Sequence, residues 1–265
     1  NIKAKDFKWT TDWIFGWAQN EITELDSRSP IYQLVNGFGR TEGRPIGALY
    51  SIPFAGLTEE GLPTFFIDAE HTQIAGPGNY DAIYFQEYEN VDYLKYEGTI
   101  DPTITGSFGN TFTWKGLKLN VFFTYSFGNV LRLDDLCPVY SSDYSDLTAS
   151  MKEMKNRWMV PGDEAITTIP SIPTVRQMRE INALNNAYSA YNYSTERVAK
   201  GDFIRLKELS LAYDLPKKYL EGQKAISNFG VKLSATNIWL AYADKKLNGR
   251  DPEYYNSGGV SSPVP

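Results

Sequence analysis

Residues 7–17 read Phe-Lys-Trp-Thr-Thr-Asp-Trp-Ile-Phe-Gly-Trp. Taken two at a time they fall into two chemically different faces. The odd positions are Phe7, Trp9, Thr11, Trp13, Phe15 and Trp17, while the even ones are Lys8, Thr10, Asp12, Ile14 and Gly16. Successive side chains of a β-strand point to opposite sides, so a period of two with bulky rings on one side predicts a strand lying between two different media. The same pattern returns further along. Thr103–Phe127 reads as a hairpin: Ile104, Phe108, Phe112 and Trp114 mark one arm, Lys115-Gly116 is the turn, and Leu117, Leu119, Val121, Phe123, Tyr125 and Phe127 mark the other. The opposite side of that second arm carries Lys118, Asn120, Thr124 and Ser126. Two more arms follow at 203–215 (FIRLKELSLAYDL) and 229–240 (FGVKLSATNIWL), and a weaker one at 45–57 is interrupted by Pro53, which places it at an edge or makes it irregular.

Composition narrows the class. The chain has 265 residues with 26 basic and 32 acidic side chains, a net charge of −6, which argues against nucleic acid as a partner. With 42% hydrophobic residues it is too apolar for disorder, yet no run approaches the ~20 apolar residues of a membrane helix. One cysteine, Cys137, and one histidine, His71, exclude a disulfide framework and leave no basis for a zinc site or a histidine triad. No metal and no cofactor is expected. The opening NIKAKDFKWTT has neither the charged start nor the apolar stretch of a signal peptide, and both ends read as interior to a longer chain.

Short turns alternate with long connections at 19–44, 58–102, 128–202 and 241–265, all rich in Tyr, Asp, Asn, Gly and Pro. Loops beyond about 12–15 residues are usually functional or disordered. Within the longest, 145–158 predicts a helix capped by Ser145 or Thr148 and stopped by Pro161-Gly162. Arms of this length, apolar on one side and polar on the other, joined alternately by short and long connections, are the pattern of a transmembrane β-barrel, because hydrocarbon offers the backbone no hydrogen bonds and only a closed sheet or a helix can cross it. The rival reading is a secreted or surface β-sandwich that binds carbohydrate through loop aromatics, with the same alternation turned inward. The orientation of the Phe7–Trp17 rings separates the two.

Several strings carry a family resemblance. Residues 195–216 (TERVAKGDFIRLKELSLAYDLP), 231–240 (VKLSATNIWL), 244–253 (DKKLNGRDPE), the hairpin 98–129, GRPIGALYSIPFAGL, and Arg157-Trp158 followed by Pro161-Gly162-Asp163 resemble the C-terminal part of SusC/RagA-type TonB-linked outer-membrane transporters of Bacteroidetes. The resemblance implies an all-β fold: a partial segment of a large antiparallel transmembrane barrel whose parent has about 22 strands and a plug, with long extracellular loops. Residues 1–265 would be the C-terminal part of that barrel, with plug and final strand absent, since the family closes on one more strand where this sequence halts at Pro263-Val264-Pro265. It implies no enzyme but import of oligosaccharides or peptides, a SusD-like surface lipoprotein as lid, TonB acting through the absent plug region, and contact with outer-membrane lipid.

On that basis Phe7, Trp9, Trp13, Phe15, Trp17, Leu119, Val121 and Phe123 are expected to face lipid. The Lys115-Gly116 turn and residues 216–228 would lie in the periplasm, and the long loops outside. Tyr140, Tyr144, Trp158, Tyr188, Tyr191, Tyr193, Asp251 and Glu253 are the loop candidates for contact with substrate or lid, against a bland alternative of loop packing. Asp134, Asp135, Asp163 and Asp244 add oxygen ligands for Ca²⁺ in number but not in spacing, so solvated loop charges are the preferred reading. Asp202, Arg205, Lys207 and Glu208 should sit above the lipid or turn into the lumen as structural ion pairs, because Arg or Lys at mid-depth costs ~2–4 kcal/mol. No pair of acids is spaced for glycoside hydrolysis. Cys137 and His71 read as inert loop residues.

Overall fold

The computed structural model describes residues 1–136, 152–220 and 228–254. In chain order its strands are β1 (Ile2–Ala4), β2 (Phe7–Trp17), β3 (Ala48–Ser51), β4 (Phe54–Leu57), β5 (Pro63–Phe66), β6 (Ile74–Ala75), β7 (Lys95–Thr99), β8 (Ile104–Trp114), β9 (Leu117–Phe127), β10 (Val130–Arg132), β11 (Val198–Lys200), β12 (Phe203–Asp214) and β13 (Gly230–Ala243). Its helices are α1 (Ile31–Val35), α2 (Val175–Glu180) and α3 (Leu184–Asn192). The chain divides into two units, one formed by residues 1–19, 102–129 and 200–252, the other by 20–101, 130–199 and 253–265.

The first unit is one antiparallel sheet of six strands in the order β1-β2-β8-β9-β12-β13. Its register turns the sequence alternation into two surfaces. Directly opposed residues form transverse rows, and the rows alternate in character. Trp9, Phe112, Leu119, Leu211 and Leu233 make one row. Thr10, Thr111, Asn120, Ser210 and Ser234 make the next, on the other side. Because the period is two, a slip of one residue in any strand would put its apolar set among the polar rows. The apolar side is open: Trp13 is 69%, Trp17 65% and Leu233 75% exposed. That is the open apolar face expected of a barrel wall, not the face of a sandwich sealed around its rings.

One strand keeps this pattern only by bulging. In β12 the residues of the apolar side sit at even positions, Ile204 and Leu206, before the middle of the strand and at odd positions from Leu209, a parity change that would put charges in the apolar face if the strand were regular. The register shifts between Leu206 and Glu208 against both neighbours, so Lys207 is the extra residue and the apolar side stays continuous. β13 answers with Asn237 in the left-handed region, φ 52°. At the β8–β9 turn Lys115 and Gly116 both take positive φ, 46° and 90°, the geometry of a two-residue hairpin turn whose twist suits its strands.

Gly106 in β8 lies directly opposite Tyr125, whose ring folds across it. The Tyr125 hydroxyl donates to Ile14 O at 2.9 Å and accepts from Trp13 Nε1 at 2.9 Å, which links β9 to β2 across β8. A Cβ at Gly106 would collide with Ile14 O and with the Tyr125 ring. Arg205 is buried and pairs with Asp251, while Glu208 reaches Lys232 at 3.8 Å and Asp202 accepts from Gly128 N at 2.7 Å.

The second unit is built from short pieces: the two-stranded sheets β3-β7 and β10-β11 and the three-stranded sheet β4-β5-β6. They pack with α1 and α3 around Ile31, Leu34, Val35, Leu62, Phe65, Tyr80 and Tyr191. Each fully buried large side chain contributes roughly 1.5–3 kcal/mol. The described part of the predicted 145–158 helix is a single 3₁₀ stretch at Lys152–Asn156, and residues 145–151 lie outside the described residues. The helices lie instead at α2 and α3, in what the sequence left as irregular connection.

Candidate functional site

Residues 25–32 place Arg28 between Ser27 and Ser29, just ahead of Pro30, the N-cap of α1. The segment is held against residues 85–92: Ile31 N donates to Glu87 O and Tyr32 N to Phe85 O, both at 2.9 Å. Arg28 Nη1 donates to Glu89 O at 3.1 Å. The facing loop is shaped by one carboxylate, since Glu87 Oε1 accepts from Tyr88 N, Glu89 N and Asn90 N at 2.9, 2.7 and 3.3 Å. Those backbone donors, chiefly of Glu89 and Asn90, hold the Glu87 carboxyl below its ordinary range. Ser29 Oγ accepts from Arg40 N at 2.9 Å and Glu42 Oε1 from Leu25 N at 2.9 Å, which fixes the third side.

The result is an open depression of about 780 Å³ lined by Ser27, Arg28, Pro30, Tyr32, Gln86, Tyr88 and Glu89. A second, of about 370 Å³, shares Ser27 and Arg28 and is bordered by Asp26, Arg40, Glu42 and Asp92. Tyr32 and Tyr88 are 39% and 55% exposed. Two guanidinium groups, several carboxylates, hydroxyls and two ring faces can hold a polar chain with apolar faces, such as a peptide or an oligosaccharide. Among the described residues no group of three or more His, Cys, Asp or Glu side chains is placed to hold a metal ion.

The frame behind these loops is fastened by buried arginines. Arg132 Nη1 donates to Ser51 Oγ and Ser194 O at 3.1 and 3.0 Å, and its Nη2 to Val35 O and Tyr50 O at 3.1 and 2.6 Å. Tyr193 lies over its guanidinium at 5.8 Å. Burial pushes Arg132 down to about 10, so it stays charged at neutral pH. Arg197 pairs with Glu153 at 2.5 Å and donates to Asp134 O at 2.6 Å. Burial raises the Asp135 carboxyl against the pull of Arg197.

The sequence candidates are scattered. Tyr188 and Tyr191 on α3 are 2% and 1% exposed, core residues rather than ring platforms, with the Tyr188 hydroxyl donating to Ser171 O at 2.7 Å. Tyr193 is half-buried against Phe85 and Arg132. Trp158 lies over Gly61, and its Nε1 donates to Glu164 Oε2 at 2.9 Å, which with backbone donors lowers the Glu164 carboxyl. Asp251 is engaged with Arg205, and Glu253 is exposed. Tyr140, Tyr144 and Cys137 lie outside the described residues. His71 is exposed and stacks on Phe66 with centroids 4.5 Å apart. Of the Ca²⁺ candidates, Asp163 accepts from Met159 N and Val160 N at 2.9 and 3.0 Å, and Asp244 from Lys200 N and Lys246 N at 2.8 and 2.9 Å. The depression around Arg28 was missed. Its one sequence signal is the pairing of a Ser-Arg-Ser-Pro turn with the Tyr- and Glu-rich stretch 84–89, and no periodicity joins two segments so far apart.

No family model matches the sequence. Two curated relatives from Formosa agariphila are similar along nearly its whole length: TonB-dependent receptor P39 is 24% identical over 99% of this chain and 27% of its own, and TonB-dependent receptor P3 is 26% identical over 96% and 24%. Among solved structures, the RagAB peptide transporter superposes with a TM-score of 0.65 at 22% identity, covering 96% of this chain and 25% of that one. The RagAB peptide importer in its closed-closed state gives 0.66 at 23% identity, covering 97% and 26%. The chain thus spans about a quarter of the length of each of these proteins.

Proposed function

We propose that this chain, which belongs to the SusC/RagA-type TonB-linked outer-membrane transporters, is the C-terminal part of the barrel of a nutrient importer. The observation that carries the reading is the continuous apolar face across β2, β8, β9, β12 and β13. A wall of this kind belongs in the outer membrane of a Gram-negative bacterium. Its short turns, Lys115-Gly116 and 216–228, would then face the periplasm, and the excursions 18–103 and 128–202 would form the outer mouth. The Arg28 depression lies in the unit those excursions build, and it would contact the solute, an oligosaccharide or peptide. TonB would supply energy through a plug and a SusD-like lipoprotein would cover the mouth. The role is binding and passage, with no bond broken.

The test uses cells carrying the complete transporter. Uptake of a fluorescent oligopeptide or oligosaccharide should cease when the proton-motive force is collapsed. It should fall at least about tenfold in Arg28→Ala/Tyr88→Ala, the scale of two interface contacts of ~0.7 kcal/mol or more each, with the amount in the outer membrane unchanged. Uptake indifferent to the proton-motive force would contradict the reading.

A further inference from the structure

The chain that leaves the sheet at the end of β13 comes back over it. Asp251, in the loop that follows Ala243, pairs with Arg205. Arg205 belongs to the polar side, since it opposes Thr124, which in turn opposes Ser107. The carboxylate that meets it therefore stands on the polar side as well. Arg205 is 3% exposed, and removing one partner of a buried pair strands the other charge, so this contact fixes the loop firmly. The other foot is Asp244, whose Oδ2 accepts from Lys200 N at 2.8 Å and whose Oδ1 accepts from Lys246 N at 2.9 Å.

Between the feet the chain is tightly wound. A single 3₁₀ turn, Lys245–Leu247, is followed by Asn248 and Gly249, both at positive φ, 53° and 85°. Arg250 N then closes the turn on Leu247 O at 2.9 Å. Leu247 is 1% exposed and anchors the middle of the loop. Charge divides between feet and tip. The carboxylates of Asp244 and Asp251 hold the loop in place, whereas residues 245–250, Lys-Lys-Leu-Asn-Gly-Arg, carry three cations and no carboxylate. The placement is set by the two feet, not by which surfaces stand open.

We propose that residues 245–250 are a cationic selectivity loop, folded over the polar side at the end of the wall away from the Lys115-Gly116 turn, that draws in solutes carrying several carboxylates. The proposal rests on the import reading above and deepens it by naming the charge class of the solute. With the polar side as the barrel interior, the loop narrows the outer mouth. Fixed cations at such a constriction raise the local concentration of anions and speed their arrival. Lipid headgroups are not the occupant, because the loop returns on the side away from the apolar face. A small monovalent anion gains little from cations spread along a turn, whereas a chain of carboxylates meets them together. Asp244 and Asp251 act as positioning residues, and Lys245, Lys246 and Arg250 make the contact.

The test takes the complete transporter, purified in lipid nanodiscs, and titrates it with fluorescent tetraglutamate and with tetraglutamine as the neutral counterpart. Tetraglutamate should bind at least about tenfold more tightly, a difference of ~1.4 kcal/mol. The preference should vanish in Lys245→Gln/Lys246→Gln/Arg250→Gln and return in Lys245→Arg/Lys246→Arg/Arg250→Lys, with unboiled gel mobility showing each variant folded. Lys152→Gln/Lys155→Gln, in the other unit, should bind like the parent. Tetragalacturonate should displace tetraglutamate, since the loop reads carboxylates and not the chain that bears them. No binding by the parent, an undiminished preference in the glutamine variant, an equal loss in the Lys152/Lys155 variant, or no displacement by tetragalacturonate would overturn the proposal. Binding is read without uptake or proton-motive force, so a failure here and a failure of the import reading are told apart.

Discussion

Replacing Val121 by arginine puts a charge at a defined depth on a defined side. Strand β9 has 11 residues. At ~3.4 Å per residue and a tilt near 40° such a strand rises about 27 Å, close to the ~25 Å apolar band of a membrane barrel. Val121 is the fifth residue of β9, one short of its centre, and opposes Asn110 and Leu209 on the apolar side. Arginine at mid-plane on a lipid face costs about 2–4 kcal/mol, falling to ~0–1 kcal/mol near the interface. Val121→Arg should therefore destabilise the complete transporter folded in bilayers by about 3 kcal/mol and Leu117→Arg, at the turn end, by ~1 kcal/mol or less. Asn120→Arg, one residue away but on the polar side, should stay within ~0.5 kcal/mol of the parent. Urea titrations followed by tryptophan fluorescence read all three. An Asn120→Arg cost equal to that of Val121→Arg would refute the assignment of faces, and equal costs at all three positions would refute the depth argument.

Other expectations follow from the packing. Gly106→Ala should cost about 1–3 kcal/mol in the same titration, because the backbone carbonyl of Ile14 cannot retreat, while Tyr125→Phe should lose only ~1 kcal/mol with its hydrogen bonds. Arg132→Met leaves the carbonyls of Val35, Tyr50 and Ser194 buried without their donor, a loss of about 3 kcal/mol or more that amide exchange in the second unit should report. Burial raises Tyr93 from its ordinary 10 to about 12, helped by Glu87, and raises Tyr80 as well. The folded state then keeps protons that the unfolded chain gives up above pH 10. Stability should fall by up to about 1.4 kcal/mol per pH unit per tyrosine between pH 10 and 12, and Tyr93→Phe should flatten that fall.

The sheet was legible because its two sides differ in chemical character, so each strand repeats the same contrast. Phe7–Trp17 and both arms of the 104–127 hairpin end where the alternation ends. Strand β13 runs on to Ala243, past the predicted 240, because its bulged end no longer alternates. The second unit was not legible for the opposite reason. Its strands are two to five residues long, too short for a period. The acceptors of Arg132 come from positions near 35, 50 and 194, which nothing local connects. Helix α3, Leu-Asn-Asn-Ala-Tyr-Ser-Ala-Tyr-Asn, has the composition of a polar loop and starts at Ala183 in the left-handed region with no side-chain cap. Tertiary burial of Tyr188 and Tyr191 makes it a helix, and the same burial removes them as platforms for a ligand.

The central claim is that the odd residues of Leu117–Phe127 face hydrocarbon. Spin labels placed singly at each position from 117 to 127, in the complete transporter with its native cysteines replaced by serine and folded into lipid bilayers, read it out. Accessibility to oxygen should peak at 117, 119, 121, 123, 125 and 127, and accessibility to a water-soluble nickel chelate at the positions between. A flat profile, or one with the two reagents exchanged, would contradict the account.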